Sequence, residues 1–118
     1  MKNEVNYTLD KNLRLDIINI KNIIQNKIIN AKIFLFGSIA KGRYSKDSDI
    51  DLLVLINGDK SNKELRFLRH EIEDLIDNLK INREVDIKLY NIDRYNILCK
   101  EICFESAILE DLVDIRGW

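Results

Sequence analysis

The chain has 118 residues, of which 46% are hydrophobic and 33% charged, with 19 Lys and Arg against 20 Asp and Glu. This length and composition predict a single soluble domain with one core. The balance of charge gives no global bias towards nucleic acid or anionic membrane, which argues against a long polynucleotide as substrate. No apolar run approaches the about 20 residues that a membrane helix needs, and the N-terminus lacks a signal-peptide core, so we expect a cytoplasmic protein.

The first half of the sequence alternates between helical and strand patterns. Residues 1–9 give no clear signal and are interpreted as a possible arm. Apolar residues at helical spacing predict an amphipathic helix over Leu13–Ile29, with Asp10 as its N-cap. A short buried strand is predicted over Lys32–Phe36, and a helix of one or two turns over Ser38–Gly42.

The second half continues the same alternation. The sequence from Ser61 to Glu64 is a capping box, S-x-x-E, which predicts the start of a helix. Alternating apolar residues after it predict a third strand. The elements predicted here are strand Asp49–Ile56, helix Asn62–Leu79, strand Glu84–Tyr90 and helix Asp93–Glu110, followed by a tail at 111–118. Together the two halves predict one α/β domain over residues 1–118, with a sheet covered by helices.

Carboxylates are concentrated at the head of the second predicted strand. Asp49 and Asp51 stand two residues apart, so their side chains point to the same face of an extended strand. Two adjacent carboxylates repel each other and raise at least one pKa unless a cation lies between them, and Mg²⁺ is the hard, oxygen-preferring ion that suits them. If the third strand lies beside the second, Asp86 reaches the same face. Three carboxylates there would form a two-metal site.

A small turn precedes these carboxylates in the sequence. Gly37 and Ser38 directly follow a buried strand and offer backbone N–H groups and a hydroxyl, which a phosphate chain requires. In a two-metal site, one ion lowers the pKa of an acceptor hydroxyl and the other neutralises charge as pyrophosphate departs. The spacing therefore predicts phosphoryl-type transfer from a nucleoside triphosphate.

The segment from Gly37 to Leu52 resembles the signature of the DNA-polymerase-β-like nucleotidyltransferases. GSIAKG, five residues and then SDIDL are similar to the pattern G-S-x-A-[RK]-G-x(5)-S-D-x-D-[LIV] of the minimal nucleotidyltransferases (MNT type). Every defining position is present, and the resemblance covers essentially the whole chain. It implies a polymerase β-like α/β fold, in which a small mixed sheet is covered by helices.

The resemblance also implies a role for each residue that matches the family pattern. Asp49 and Asp51 would bind both Mg²⁺ ions. The family's third carboxylate lies on a later strand, where this chain has Asp86, which would complete the acceptor-side metal and help to activate the hydroxyl. These three residues are therefore expected to be both catalytic and metal-binding.

Nucleotide contacts are implied in the same way. Gly37 and Ser38 would hold the β- and γ-phosphates of an incoming nucleoside triphosphate, and Lys41 or Arg43 would add phosphate contacts. The family's usual arginine at position 41 is lysine here, which keeps the point charge and loses the bidentate fork of a guanidinium. Ser38 as a simple helix N-cap is the alternative structural interpretation, and it is compatible with phosphate binding.

Family members of this size are commonly antitoxins, paired with a HEPN-domain ribonuclease toxin. The resemblance therefore implies AMPylation, the transfer of AMP from ATP to a tyrosine hydroxyl of such a toxin. Larger relatives carry a second domain that binds the acceptor, and a partner protein or a second copy would fill that role here. Two alternatives remain open: a binding module that neutralises its partner by occlusion, and a nucleotidyltransferase acting on a small-molecule or RNA acceptor.

Other residues with possible chemistry are interpreted as structural. His70 is expected at the surface or its boundary. Cys99 and Cys103 share one face of a predicted helix, which is more typical of buried thiols than of a disulfide or a zinc site. Tyr90 and Tyr95 follow the third strand, where stacking on a base is possible and aromatic packing is commoner.

Overall fold

The computed structural model describes residues 9–100 and 112–118. Helices and strands alternate in the order that the sequence predicts as far as the last described helix. In chain order they are α1 (Lys11–Lys27), β1 (Lys32–Phe36), α2 (Gly37–Ala40), β2 (Ile50–Ile56), α3 (Asn62–Asp77), β3 (Val85–Asn91), α4 (Ile92–Leu98) and β4 (Val113–Asp114).

The strands form one mixed sheet in the order β3-β2-β1-β4. Strand β1 runs antiparallel to both β2 and β4, whereas β2 and β3 are parallel. Because parallel strands need a crossover connection, α3 covers the sheet between β2 and β3. The prediction of an α/β fold with a small mixed sheet covered by helices is confirmed.

Both faces of the central strands are buried, which explains their nearly continuous apolar sequences. Alternate residues of β1 and β2 pack against α1 and α3 on one face of the sheet, and the residues between them pack on the other face with Tyr95 of α4. The first set comprises Ile33, Leu35, Ile50, Leu52, Val54 and Ile56, and the second comprises Phe34, Phe36, Leu53 and Leu55. The predicted site residue Asp51 also lies on the second face. Because side chains alternate along a strand, only every second residue of β2 can point towards the predicted site.

Side-chain caps fix the starts of the two long helices. The Asp10 carboxylate accepts hydrogen bonds from the backbone N–H groups of Asn12 and Leu13, at 3.1 and 3.2 Å. At the start of α3, Ser61 Oγ accepts from the N–H of Glu64, while the Glu64 carboxylate accepts from the N–H of Ser61, both at 3.1 Å. The predicted N-cap and capping box are therefore confirmed. Helix α3 ends at Asp77, two residues before the predicted end.

The prediction of a tail at the C-terminus is wrong for the residues that the structure describes there. Val113 and Asp114 form β4, and Val113 lies opposite Leu35 of β1. The N–H of Ile115 donates to the carbonyl of Ile33 at 3.1 Å, and Leu112 and Ile115 are buried. The edge of β1 would otherwise leave its backbone groups unpaired, so a very short apolar segment is enough to form a strand there.

Parts of the predicted first and last elements lie outside the described residues. This applies to residues 1–8 of the possible arm and to residues 101–111, which include most of the predicted final helix. Within residues 9–100 and 112–118, no helix is long and apolar enough to cross a membrane.

Candidate active site

The parallel pairing of β2 and β3 brings two of the predicted site residues together. Asp51 and Asp86 are direct partners in the register of the two strands, each one residue inside the start of its strand. Neighbouring strands lie about 4.8 Å apart, and the two side chains share a face of the sheet. The adjacent residues Ile50, Leu52 and Ile87 point into the core on the opposite face.

Asp49 precedes the first residue of β2 and is exposed to solvent. Because it lies two residues before Asp51, it is near Asp51 at the start of β2, as the i, i+2 spacing predicts. Asp86 is also exposed, whereas Asp51 is partly buried. Of the three carboxylates, Asp51 is therefore the least accessible to solvent.

Gly37 contacts the Asp51 carboxylate closely, and its lack of a side chain makes this contact possible. The backbone register places Asp51 opposite Phe36, the residue before Gly37. A Cβ atom added at Gly37 would collide with Oδ2 of Asp51, and the φ of Gly37 is +80°, in the left-handed region. Both the conformation and the space therefore require glycine at the turn that follows β1.

The acidic cluster changes the titration of its central member. Burial is the largest cause of a rise in the pKa of Asp51 to about 6, and repulsion from the Asp86 and then the Asp49 carboxylates contributes to this rise. The Lys88 ammonium acts in the opposite direction, and it forms an ion pair with Asp86 at 3.6 Å. Negative charge is thus crowded at this point of the sheet.

The donor set suits a divalent cation, although the side chains are not closed around one. Among the residues that the structure describes, no three His, Cys, Asp or Glu side chains come close enough together to enclose a metal ion. The fit rests instead on chemistry: the carboxylates offer only oxygen ligands, and burial together with repulsion from the other two carboxylates raises the pKa of Asp51. A divalent cation would relieve that repulsion, so Asp49, Asp51 and Asp86 are suitable ligands for Mg²⁺.

The loop between α2 and β2 is held in place by a residue that the sequence analysis did not identify. Nη1 of Arg83 donates to the carbonyl oxygens of Ser45 and Ser48, both at 2.8 Å. Its guanidinium also lies 5.8 Å from the ring centroid of Tyr44, whose hydroxyl accepts a hydrogen bond from the N–H of Asp10 at 3.0 Å. This clamp fixes the backbone that leads directly into Asp49.

The remaining predicted nucleotide-binding residues lie around α2. Ser38 is inside this helix and does not cap it, because Phe36 occupies the N-cap position. The backbone N–H of Arg43 donates to the carbonyl of Ser38 at 3.0 Å, and that of Lys41 donates to the carbonyl of Gly37 at 3.1 Å. Lys41 and Arg43 therefore directly follow α2, and both are exposed.

The residues interpreted as structural are mostly where the sequence suggests. His70 is exposed on α3, 3.8 Å from a carboxylate oxygen of Glu73. Cys99 is partly buried and packs against the cluster that contains Phe34, Phe36 and Tyr95, and Cys103 lies outside the described residues. Tyr90 and Tyr95 pack against each other with ring centroids 5.5 Å apart, which favours the packing interpretation.

A stability measurement can test the charge crowding at Asp51. We expect Asp51→Asn to raise Tm at pH 7.5 without divalent cations, by about 3–6 °C, corresponding to roughly 1 kcal/mol once solvent screening of this partly exposed group is allowed for. The folded pKa of Asp51 is raised from 3.8 to about 6. The folded protein therefore loses stability as pH rises through this window, because ionisation costs more in the folded than in the unfolded chain.

The gain should therefore shrink at pH 4, where the wild-type carboxyl is largely protonated in the folded protein. Asp59→Asn removes a carboxylate from an exposed loop residue and serves as the control; it should leave Tm nearly unchanged. An equal Tm gain for Asp51→Asn at both pH values would contradict a pKa of Asp51 raised by burial and by the neighbouring carboxylates.

Comparison with known proteins places these features in a family. The model of the polymerase beta nucleotidyltransferase family matches residues 18–111. A similar solved structure is that of a proposed nucleotidyltransferase from Sulfolobus solfataricus, which is 20% identical with a TM-score of 0.53, over 97% of this chain and 87% of that chain. Another is a toxin–antitoxin structure with AMP-PNP, which is 24% identical with a TM-score of 0.45, over 75% of this chain and 64% of that chain. No curated protein matches the sequence.

At 20% identity the Sulfolobus solfataricus structure supports the fold alone, and the family match carries the assignment. That match spans most of the sequence and includes the turn at Gly37 and Ser38 and all three carboxylates. The mixed four-stranded sheet agrees with it. The chain belongs to the polymerase beta nucleotidyltransferase family.

Proposed function

We propose that this chain is a Mg²⁺-dependent nucleotidyltransferase that transfers AMP from ATP to a hydroxyl group. The observation that carries the proposal is the register of β2 and β3, which sets Asp51 opposite Asp86, with Gly37 against the Asp51 carboxylate. In this proposal Asp49, Asp51 and Asp86 are the ligands of two Mg²⁺ ions.

The turn after β1 is the proposed site of the triphosphate. Gly37 and Ser38 would hold the β- and γ-phosphates through backbone N–H groups and the Ser38 hydroxyl, with Lys41 or Arg43 as a further positive partner. When bound, the divalent ions supply charge compensation for the triphosphate and for the departing pyrophosphate. Asp51 contacts Gly37 and faces Asp86, so it would connect the donor phosphates with the acceptor side.

Asp86 is the carboxylate best placed to meet an acceptor. It lies on β3, the edge strand of the described sheet, and its side chain is 49% exposed. The acceptor oxygen would form a bond to the α-phosphorus, the bond from that phosphorus to the β-bridging oxygen would break, and pyrophosphate would leave. Asp86 would help to remove the hydroxyl proton.

The favoured acceptor is a tyrosine hydroxyl of a HEPN ribonuclease toxin, which makes the chain a protein-AMPylating antitoxin. Support comes from the GSIAKG and SDIDL segments, which resemble those of the minimal nucleotidyltransferases. The exposed positions of Asp49 and Asp86 are compatible with an acceptor as large as a protein. In this role the enzyme would act in a complex with its toxin, at least during transfer.

Mass spectrometry of the protein encoded by the neighbouring gene tests this proposal. We expect that protein, incubated with the chain, ATP and Mg²⁺, to gain the mass of one or more AMP groups on tyrosine. Asp51→Asn should abolish the gain, and Asp59→Asn, which removes an equivalent charge from an exposed loop, should preserve it. Tight complex formation without any mass gain would contradict AMPylation and favour neutralisation by occlusion. Modification of RNA or a small molecule instead would assign a different acceptor.

A further inference from the structure

One cavity of the described structure lies away from the acidic cluster and has the opposite charge. It has a volume of about 320 Å³ and is formed by the first half of α3, the end of β3 and α4. Three arginines line it: Arg66 and Arg69 from α3, and Arg94 from α4. None of the described residues that line it is acidic. We call this feature the arginine groove.

The arginines of this groove retain unused hydrogen-bonding capacity. Nε of Arg69 is buried without a hydrogen-bond partner, and the nearest carboxylate oxygen, on Glu73, is 4.0 Å away. Arg66 and Arg94 form no ion pair with any residue in the described part of the chain. A buried N–H donor without a partner is costly unless a ligand or solvent supplies an acceptor.

The arginine groove is distinct from the candidate active site. It lies beside Leu89, Tyr90 and Asn91, at the carboxyl end of β3, whereas Asp86 is at the start of that strand. At the rise of an extended strand, four residues separate Asp86 from Tyr90 by about 13 Å. The carboxyl ends of parallel strands in α/β sheets are frequent places for ligand crevices.

We propose that the arginine groove binds a phosphate group, either free or carried by a nucleotide. Guanidinium groups present paired N–H donors that match phosphate oxygens, and Arg66 and Arg94 are exposed in a groove with no carboxylate among its described lining residues. The volume is in the range of small-ligand pockets. Leu65, Leu89 and Leu98 supply an apolar wall, which would suit the base or sugar of a nucleotide better than a free anion.

Calorimetric titration of the protein with phosphate ligands in EDTA distinguishes binding at this groove from binding at a site that requires Mg²⁺. We expect pyrophosphate and AMP to bind the wild-type chain, and Arg69→Gln or Arg94→Gln to weaken binding about tenfold, the loss of roughly one charge-assisted interaction. Arg14→Gln, which removes an exposed arginine of α1, is the control and should bind as the wild type does. Tighter binding of AMP than of pyrophosphate would identify the nucleotide as the source of the phosphate, and the reverse would identify a free anion.

Arg69→Gln and Arg94→Gln lie on different helices, so the test remains decisive if one of the two variants fails to fold. Tm measurements would show such a failure. Gly37→Ala alters the candidate active site and should retain phosphate binding in EDTA. Loss of binding in Gly37→Ala together with unchanged binding in both arginine variants would overturn the proposal. The proposal would also be overturned if neither pyrophosphate nor AMP bound the protein. It would likewise be overturned if only a hexaglutamate peptide bound and this binding required the arginines, which would assign the groove to an acidic protein segment.

Discussion

Asp51→Asn is expected to lower the rate of nucleotidyl transfer by about 1000-fold or more, the effect of losing several kcal/mol of charge stabilisation in the transition state. Asp51 is the most buried of the three carboxylates, lies opposite Asp86 and contacts the glycine turn. An asparagine keeps the shape of the side chain and removes one negative charge and one strong oxygen ligand. The rate is measured as pyrophosphate release with saturating ATP and Mg²⁺.

The matched control is Asp59→Asn, the same chemical change at an exposed residue beyond the end of β2. It should leave the rate within about twofold of the wild type, because an exposed charge outside the site contributes little. Raising the Mg²⁺ concentration should restore little of the activity of Asp51→Asn. Transfer by Asp51→Asn within about tenfold of the wild-type rate would contradict the proposed role of this carboxylate.

Gly37→Ala is expected to lower the transfer rate by at least about 100-fold, since small displacements of reacting groups have effects of this size. The substitution carries two penalties. A φ of +80° is unfavourable for alanine by about 1–2 kcal/mol, and the new methyl group would collide with the Asp51 carboxylate. The carboxylate must then move away from Asp86, or the turn must move away from the triphosphate.

Gly42→Ala separates these two penalties. Gly42 has a φ of +75°, close to that of Gly37, but beyond Gly42 and its two chain neighbours no heavy atom lies within 4 Å of the position that its Cβ would occupy. We expect both variants to lose similar stability from the backbone, whereas Gly42→Ala should lose less than about tenfold in rate. Thermal unfolding and pyrophosphate release measure the two effects. Equal rate losses in the two variants would contradict a specific contact between Gly37 and Asp51.

The positions of the carboxylates could be predicted from the sequence because they depend on local rules. The i, i+2 spacing of Asp49 and Asp51 determines their common face, and apolar alternation around Asp86 determines which of its neighbours enter the core. The sequence alone did not determine that β2 and β3 are neighbours, so this had to be assumed. The structure shows that the two strands pair, with Asp51 opposite Asp86. The capping box of α3 was equally local and was confirmed.

Features that depend on distant contacts could not be predicted in this way. Arg83 holds Ser45 and Ser48 across 38 and 35 residues of sequence, and nothing in its neighbourhood marks it as a clamp. Strand β4 has two residues, too few for a recognisable alternation, and it forms because β1 offers an unpaired edge. The arginine groove likewise combines residues of α3, β3 and α4 that lie far apart in the sequence.

The central claim is that Asp49, Asp51 and Asp86 hold divalent cations beside a triphosphate bound at Gly37 and Ser38. The most direct test is the anomalous diffraction of Mn²⁺ in crystals grown with a non-hydrolysable ATP analogue. We expect Mn²⁺ within about 2.2 Å of carboxylate oxygens of Asp51, with Asp49 and Asp86 completing the sites, and the analogue's β- and γ-phosphates at the glycine turn. A triphosphate bound elsewhere, or Mn²⁺ absent from Asp51 while the analogue is ordered, would contradict the account.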